Sequence, residues 1–276
     1  MNGFRLQRLE SLDSVGPRFL GLEFPRLALV VASLIFAAPL LAAETGKSDK
    51  IDELVSLHDL KTAVAIGDYY LRQRTLFAIR DRLAEIGRRQ GLGPDWNPDD
   101  VHWKQAEAAL FAPAAKQLDH GFSDLEWLSV EWAQLDDRDF SERDIDQLLA
   151  HFKTQYGRKQ VMIVDHGVAV HVQSALTFTG KMLYDVPGLE AERDRMQHLY
   201  NQEDTDMRFN FQDSPEGQQF ALSPVGKRYF VNAMLKVSGM ISKRLDDTAA
   251  GIPQMVDSLS GRAEPAVQAF RRYHQG

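Results

Sequence analysis

The sequence contains no cysteine. It therefore has no disulfide, no thiolate metal site and no thiol nucleophile, and it lacks the acylated cysteine of a lipoprotein. Positive charge is also in short supply, because the formal net charge is −7 at pH 7. An acidic chain of this kind is a poor candidate for general nucleic-acid binding.

Catalytic and metal-binding motifs are missing as well. Neither Ser174 nor Ser223 lies in a Gly-x-Ser-x-Gly setting, and no glycine-rich phosphate loop occurs. The closest histidine pair, His166 and His171, would lie about 140° apart on a helix, which prevents chelation of one ion. The sequence predicts no metal site, no cofactor and no catalytic residue.

Two adjacent carboxylate pairs, Asp136-Asp137 and Asp246-Asp247, fall at predicted helix ends. Aspartates there commonly cap helices in contact with water. We therefore expect both pairs to be solvated caps.

The N-terminal stretch has the order of a secretory signal. An apolar run at 27–41 follows Arg18 and Arg26 and precedes small residues that end at Ala43. The run is shorter than the roughly 20 residues that cross a bilayer comfortably. We predict cleavage near Ala43 and a periplasmic location; the alternatives are a retained anchor or a start codon further downstream.

The mature chain has helical periodicity nearly throughout. A long helix is predicted from Leu60 to Arg89, with Gly91 as its left-handed stop. Further starts are predicted at three caps, each followed by acidic residues in the first turn: Asn97 with Pro98 at N1, Ser123 with Glu126, and Ser141 with Asp144. Phe122 and Trp127 are placed to form a hydrophobic staple across the second of these starts.

Prolines and polar stretches suggest the breaks between helices. Pro113 predicts a kink or a restart, and Pro253 and Pro265 predict the starts of two short final helices. The polar residues 201–213 predict a linker. The expected fold is all-α, a bundle or array of about eight to ten helices. The expected division is 1–43 signal peptide with a long n-region, 44–200 N-terminal helical domain, 201–213 linker and 214–276 C-terminal helical region.

One short pattern occurs twice, at His151–Lys159 and at Phe220–Arg228. Each copy has an aromatic ring, then Ser or Thr, a glycine and two adjacent cations, and Gly157 and Gly226 are 69 positions apart. The pattern predicts a duplicated helix–turn–helix joint. Gly157, Ser223, Pro224 and Gly226 are its expected turn residues, whose backbone a larger side chain would strain.

Two cations stand at each joint, Arg158 with Lys159 and Lys227 with Arg228. A helix N-terminus offers free N–H groups and a positive dipole end, so these residues could hold a phosphate or a lipid headgroup. The alternative is that they pair with the many carboxylates of an acidic protein. The sequence favours the second interpretation.

The stretch from Phe140 to Lys159, together with the second copy of the pattern, resembles an exported bacterial family of helical proteins catalogued as a domain of unknown function. The family motif joins aromatic residues to Ser-Pro-x-Gly followed by two cations, and Phe220–Arg228 matches it more closely. The first copy departs from it at His151, Thr154 and Gln155. The resemblance implies an exported, all-helical protein and no catalytic residue.

The strongest signals in the sequence are helix caps and packing stripes. They favour a non-enzymatic binding or interaction module with an unknown periplasmic protein or amphiphile as its partner. The second hypothesis is a carrier that holds an amphiphile or lipid between helices, and an uncharacterised enzyme is the third. Nucleic acid is not an expected partner, and membrane association requires an uncleaved signal segment or lipid binding at the basic joints.

Overall fold

A computed structural model of the chain describes residues 46–123, 125–210 and 215–275. Helices dominate these ranges and no strand occurs within them, so the all-α prediction is confirmed. The predicted signal peptide at 1–43 lies outside the described residues.

The helices follow one another along the chain with short connections. They are α1 (46–56), α2 (Lys61–Gln90), α3 (Val101–Leu118), α4 (Glu126–Asp139), α5 (Glu142–Phe152), α6 (Gln155–Phe178), α7 (Glu190–Asn210), α8 (Pro215–Leu222), α9 (Pro224–Val231), α10 (Ser238–Leu259) and α11 (Glu264–Gln275). Two π-helical segments, Asp119–Ser123 and Asn232–Val237, and a 3₁₀ turn, Ser260–Ala263, extend α3, α9 and α10.

Helix α2 lies at the centre of the fold. It packs against α3, α6, α7 and α10, and its first three turns are buried almost all round. It ends as the sequence predicts, because Gly91 adopts the left-handed conformation with φ of 63° and its N–H reaches the carbonyl groups of the last turn.

One hydrophobic core runs through the described residues, from Ile51 in α1 to Phe270 in α11. Residues 201–210 of the predicted linker continue α7 as a helix, and residues 211–213 lie outside the described residues. The helix is strongly polar, yet it buries Met196 and packs against both α2 and α6. A helix that rests on the core along one narrow side needs few apolar residues, which is why its sequence shows no steady period.

The helix starts agree with the sequence only in part. Ser141 and Asp144 form the predicted capping box, with Ser141 Oγ accepting from the Asp144 N–H at 3.2 Å and the reciprocal bond at 3.1 Å. Asn97 is not an N-cap. Asp100 caps α3 instead, by accepting from the His102 N–H at 2.7 Å, while Asn97 closes the turn that precedes it.

The capping box predicted at Ser123 is wrong. Ser123 ends a π-helical segment, and the N-cap residue of α4 is Leu125, whose side chain makes no cap bond. The Phe122–Trp127 contact is nevertheless present, with ring centroids 6.1 Å apart and the indole N–H donating to the Phe122 carbonyl at 3.2 Å. The ring contact and this bond fix the entry to α4, so a hydroxyl cap is not required.

Two prolines lie inside helices rather than at their boundaries. Pro113 falls within α3 and Pro253 within α10. Each removes one backbone donor, and packing of these helices against α2 and the rest of the core offsets that loss. Pro265 lies at the start of α11, where the sequence predicts it.

The two joints have the same local geometry. Thr154 caps α6 by accepting from the Gly157 N–H at 3.0 Å, and Ser223 caps α9 by accepting from the Gly226 N–H at 3.1 Å. Each capping hydroxyl also donates to the carbonyl three residues earlier, at 2.7 Å in the first joint and 2.6 Å in the second. Pro224 occupies N1 of α9.

The glycines are required for a reason other than the predicted strained turn. Both lie in the first turn of a helix, and neither has a positive φ. A Cβ added at Gly157 would lie closer than 3.0 Å to the His151 carbonyl oxygen, and one at Gly226 equally close to that of Phe220. The constraint is therefore the close approach of one helix start to the preceding helix end.

The joints also touch each other. The His151 and Phe220 rings, which occupy the same position in the two copies, stack with centroids 3.6 Å apart and planes 8° from parallel. Helix α5 packs against α9, and α6 packs against α8. The two helix pairs thus meet through equivalent residues.

Within the described ranges, α6 alone is long and apolar enough to cross a membrane on length and composition, with a window of mean hydropathy 1.2. Core helices of soluble proteins pass the same test. Because α6 carries Asp165 and His166 and packs against α2, α5, α7 and α10, it is a core helix of this fold.

Replacing Gly157 or Gly226 with Ala should destabilise the fold by roughly 1–3 kcal/mol, because the added methyl group meets a backbone carbonyl that cannot rotate away. Gly251→Ala is the matched control. It lies in α10 with nothing within 4 Å of an added Cβ, so we expect it to stabilise by about 0.4–1 kcal/mol. Urea unfolding measures all three, and equal effects at the three glycines would contradict the close-approach account.

Candidate functional site

A buried chain of three polar side chains crosses the core. His58, in the break between α1 and α2, lies with Nδ1 2.6 Å from Asp165 Oδ1 and Nε2 2.6 Å from the Tyr229 hydroxyl. The backbone N–H of Asp59 donates to the second Asp165 oxygen at 2.9 Å. The chain joins the α1–α2 break to α6 and α9.

All three side chains of the chain are buried. The side chains of His58 and Asp165 are 2% and 6% exposed, and Tyr229 is fully buried. Burial, followed by the nearby Asp136 and Asp165 carboxyls, raises the pKa of Tyr229 well above its ordinary value, so its hydroxyl keeps its proton and is able to donate. In the tautomer whose Nδ1–H donates to Asp165, Nε2 accepts from the Tyr229 hydroxyl, and each ring nitrogen then has a partner.

Local structure explains how each member reaches its place. His58 follows the last turn of α1, where its N–H bonds to the Val55 carbonyl at 3.1 Å, and it lies in the short break before α2 begins at Lys61. The indole of Trp132 lies against the imidazole, with ring centroids 4.4 Å apart. Tyr229 is in the second turn of α9, and the Ser223 cap determines where that helix begins.

Asp165 also forms part of the wall of a small surface pocket. The cavity has a volume of about 130 Å³ and lies where the start of α2 meets α6 and α7. We call it the acidic pocket, and it is lined by Asp59, Lys61, Met162, Asp165, Leu199, Gln202, Glu203 and Asp206. One carboxylate is thus shared between the buried chain and a cavity that opens to solvent.

Carboxyl groups outnumber ammonium groups in the lining of the acidic pocket. Four carboxyl groups face one ammonium group, and the Lys61 ammonium lies 2.6 Å from Asp59 Oδ2. Burial raises the pKa of Glu203 to about 7, and repulsion by Asp165 and Asp59 adds to the increase. At neutral pH Glu203 is close to the middle of its titration.

Among the described residues, no group of three or more His, Asp or Glu side chains has the geometry of a metal site. Two histidines lie beside the pocket carboxylates: His58 Nδ1 is 2.6 Å from Asp165 Oδ1, and His166 Nδ1 is 3.4 Å from Glu203 Oε2. His171 is on another side of α6, where it bonds to the Gly167 carbonyl. The pocket is therefore an array of hydrogen-bond acceptors with negative charge.

The four joint cations lie elsewhere, at the starts of α6 and α9. The Arg158 guanidinium donates back to the Lys153 carbonyl at 2.8 Å. Arg228 lies 3.6 Å from Asp144 and 5.2 Å from the centre of the Phe140 ring. Lys227 is exposed and Lys159 half-buried.

Sequence reasoning missed the buried chain. None of Asp165, His58 and Tyr229 is identified as a candidate site residue from the sequence. Their partners are 107 and 171 positions away along the chain, and no local pattern reports contacts at that range.

The interpretation of Asp136 as a solvated cap is wrong, since it is completely buried. A signal was available: Asp136 is one helical turn after Trp132 and two after Leu128, both on the buried face of α4. Asp246 and Asp247 are exposed as expected, although within α10 and not at its end, and they pair with Lys181 and Lys243.

Tyr229→Phe should lower the free energy of unfolding by about 1–3 kcal/mol, because it leaves His58 Nε2 buried without a donor. Tyr273→Phe is the control, since Tyr273 is 74% exposed and its change should stay within about 0.5 kcal/mol. Urea unfolding of the two variants checks this, and a neutral Tyr229→Phe would show that the hydroxyl bond does not stabilise the core.

Comparison with known proteins leaves the site to be interpreted from its own geometry. No family model matches this chain, and no curated protein or solved structure matches it.

Proposed function

We propose that this chain is an exported, non-enzymatic binding module that holds a small organic cation in the acidic pocket. The observation that carries the proposal is the convergence of four carboxyl groups on one small cavity whose single ammonium group already has an ion-pair partner. Such a site attracts cations and repels anions. The apolar run at 27–41 supports the export part of the proposal.

The size and lining of the cavity support a small ligand. Its volume of about 130 Å³ is close to the roughly 150 Å³ of a cavity that holds benzene. Met162 and Leu199 give it an apolar side, which suits the hydrocarbon part of a substituted ammonium ion. A bare metal ion would leave that side without a partner.

The buried chain supports binding through preorganisation. Asp165 receives hydrogen bonds from His58 Nδ1 and from the Asp59 N–H, so its carboxylate is held in position before a ligand arrives. A fixed acceptor loses less conformational entropy on binding than a mobile one. Because His58 and Tyr229 are buried behind Asp165, they support the pocket wall and do not face a reagent in it.

We expect propylammonium and tetramethylammonium to bind saturably, while 1-propanol and propionate of similar size do not. Isothermal titration calorimetry at low ionic strength measures this. Asp206→Asn and Glu203→Gln should each weaken binding by about tenfold, since one favourable charge contact is worth on the order of 1 kcal/mol. Asp194→Asn is the matched control, a 67% exposed carboxylate on the same helix, and it should leave the affinity unchanged.

Cation binding should strengthen as the pH rises through about 7, where Glu203 loses its proton. Tetramethylammonium is the probe because its own charge does not titrate. Glu203→Gln should remove most of this pH dependence. Equal affinity of wild-type protein for the ammonium ions and for 1-propanol would contradict the proposed function.

A further inference from the structure

Asp136 lies in the core without the partners that a buried carboxyl normally has. It is 0% exposed, and neither carboxyl oxygen has a hydrogen-bond partner among the described residues. One turn earlier on α4, the buried indole N–H of Trp132 lacks a partner within the same ranges. Buried polar groups are almost always paired, so this pair of orphan groups requires a physical account.

The groups around Asp136 come from several elements. His58, in the α1–α2 break, packs against Trp132, and Tyr229 in α9 is close enough to be influenced by the Asp136 charge. On α4 itself, Asp139 is the nearest acid, and it pairs with Arg138 of α4 and with Lys236 from the π-helical segment.

The other charged side chains near this part of α4 also have partners. Arg228 of α9 pairs with Asp144 and reaches the Asp139 carbonyl, and Lys47 of α1 pairs with the exposed Asp137. No cation among the described residues is paired with Asp136 itself.

We propose that Asp136 is a proton-binding site in the core, and that loss of its proton weakens the packing of α4 against α9 and against the α1–α2 break. A neutral carboxyl is tolerated in this position, whereas a carboxylate without a partner is costly to bury. The inference does not rest on the proposed ligand.

Deprotonation of Asp136 lowers the stability of the folded protein. Burial, with a smaller contribution from Asp139, raises the pKa of Asp136 from 3.8 to about 7 in the folded protein. The folded state therefore binds a proton that the unfolded state has lost between these two values, and stability falls as the pH rises across that interval. Glu203 titrates near the same pH, so the Glu203→Gln protein is the appropriate background.

The test is urea unfolding of full-length protein in that background at half-unit steps from pH 5 to pH 8.5. The unfolding equilibrium constant should rise by up to about tenfold per pH unit below pH 7. Asp136→Asn should reduce the slope of the logarithm of this constant against pH by up to about one, the value for one bound proton. Asp137→Asn, which changes the adjacent exposed residue, should keep it. An Asp136→Asn protein with the parental slope would overturn the proposal.

Hydrogen exchange on the unmutated chain tests the same idea without a variant that has to fold. After correction for the intrinsic effect of pH, exchange between pH 5.5 and pH 8.5 should increase in peptides from α4, α9 and residues 57–60. Peptides from α3 and α11 should change less. A uniform change, or none, would overturn the proposal.

Discussion

The hydrogen-bond chain from Asp165 through His58 to Tyr229 is the interaction on which the arrangement of this core depends. It joins residues 107 and 171 positions apart. It buries His58 and Tyr229, while Asp165 also lines the acidic pocket. If one of these groups lost its hydrogen-bond partner, the buried polar group left behind would destabilise the fold. The chain therefore specifies how the α1–α2 break, α6 and α9 meet, in a core whose apolar contacts alone would tolerate other arrangements.

The two glycine joints supply the geometry that this chain needs. Ser223 fixes the first turn of α9, and the close approach of Gly226 to the Phe220 carbonyl fixes the angle at which that helix leaves α8. Tyr229 lies three residues after Gly226, so the cap and the close approach together determine its position. The stacked His151 and Phe220 rings hold the two joints together. The repeated pattern therefore helps to position Tyr229, which bonds to His58 and through it to Asp165 at the wall of the acidic pocket.

The sequence predicted what depends on neighbours along the chain. Gly91 stops α2, Ser141 with Asp144 starts α5, and helical periodicity established the all-α class. Ser123 and Asn97 have equally good local patterns, but the contact of Trp127 with Phe122 and the nearer cap Asp100 are found at those starts instead. The buried chain and the acidic pocket join distant segments, so no local pattern predicts them. The burial of Asp136 did have a local signal, its helical spacing from Trp132 and Leu128.

The protonation of His58 is the most direct test of the buried chain. Nitrogen chemical shifts of a ¹⁵N-histidine-labelled protein distinguish the two neutral tautomers and the imidazolium ion. The structure predicts that His58 carries its proton on Nδ1, with Nε2 accepting from the Tyr229 hydroxyl, and that Tyr229→Phe shifts the Nε2 signal. A His58 protonated on Nε2 alone, or one that averages between tautomers as an exposed imidazole does, would contradict the account.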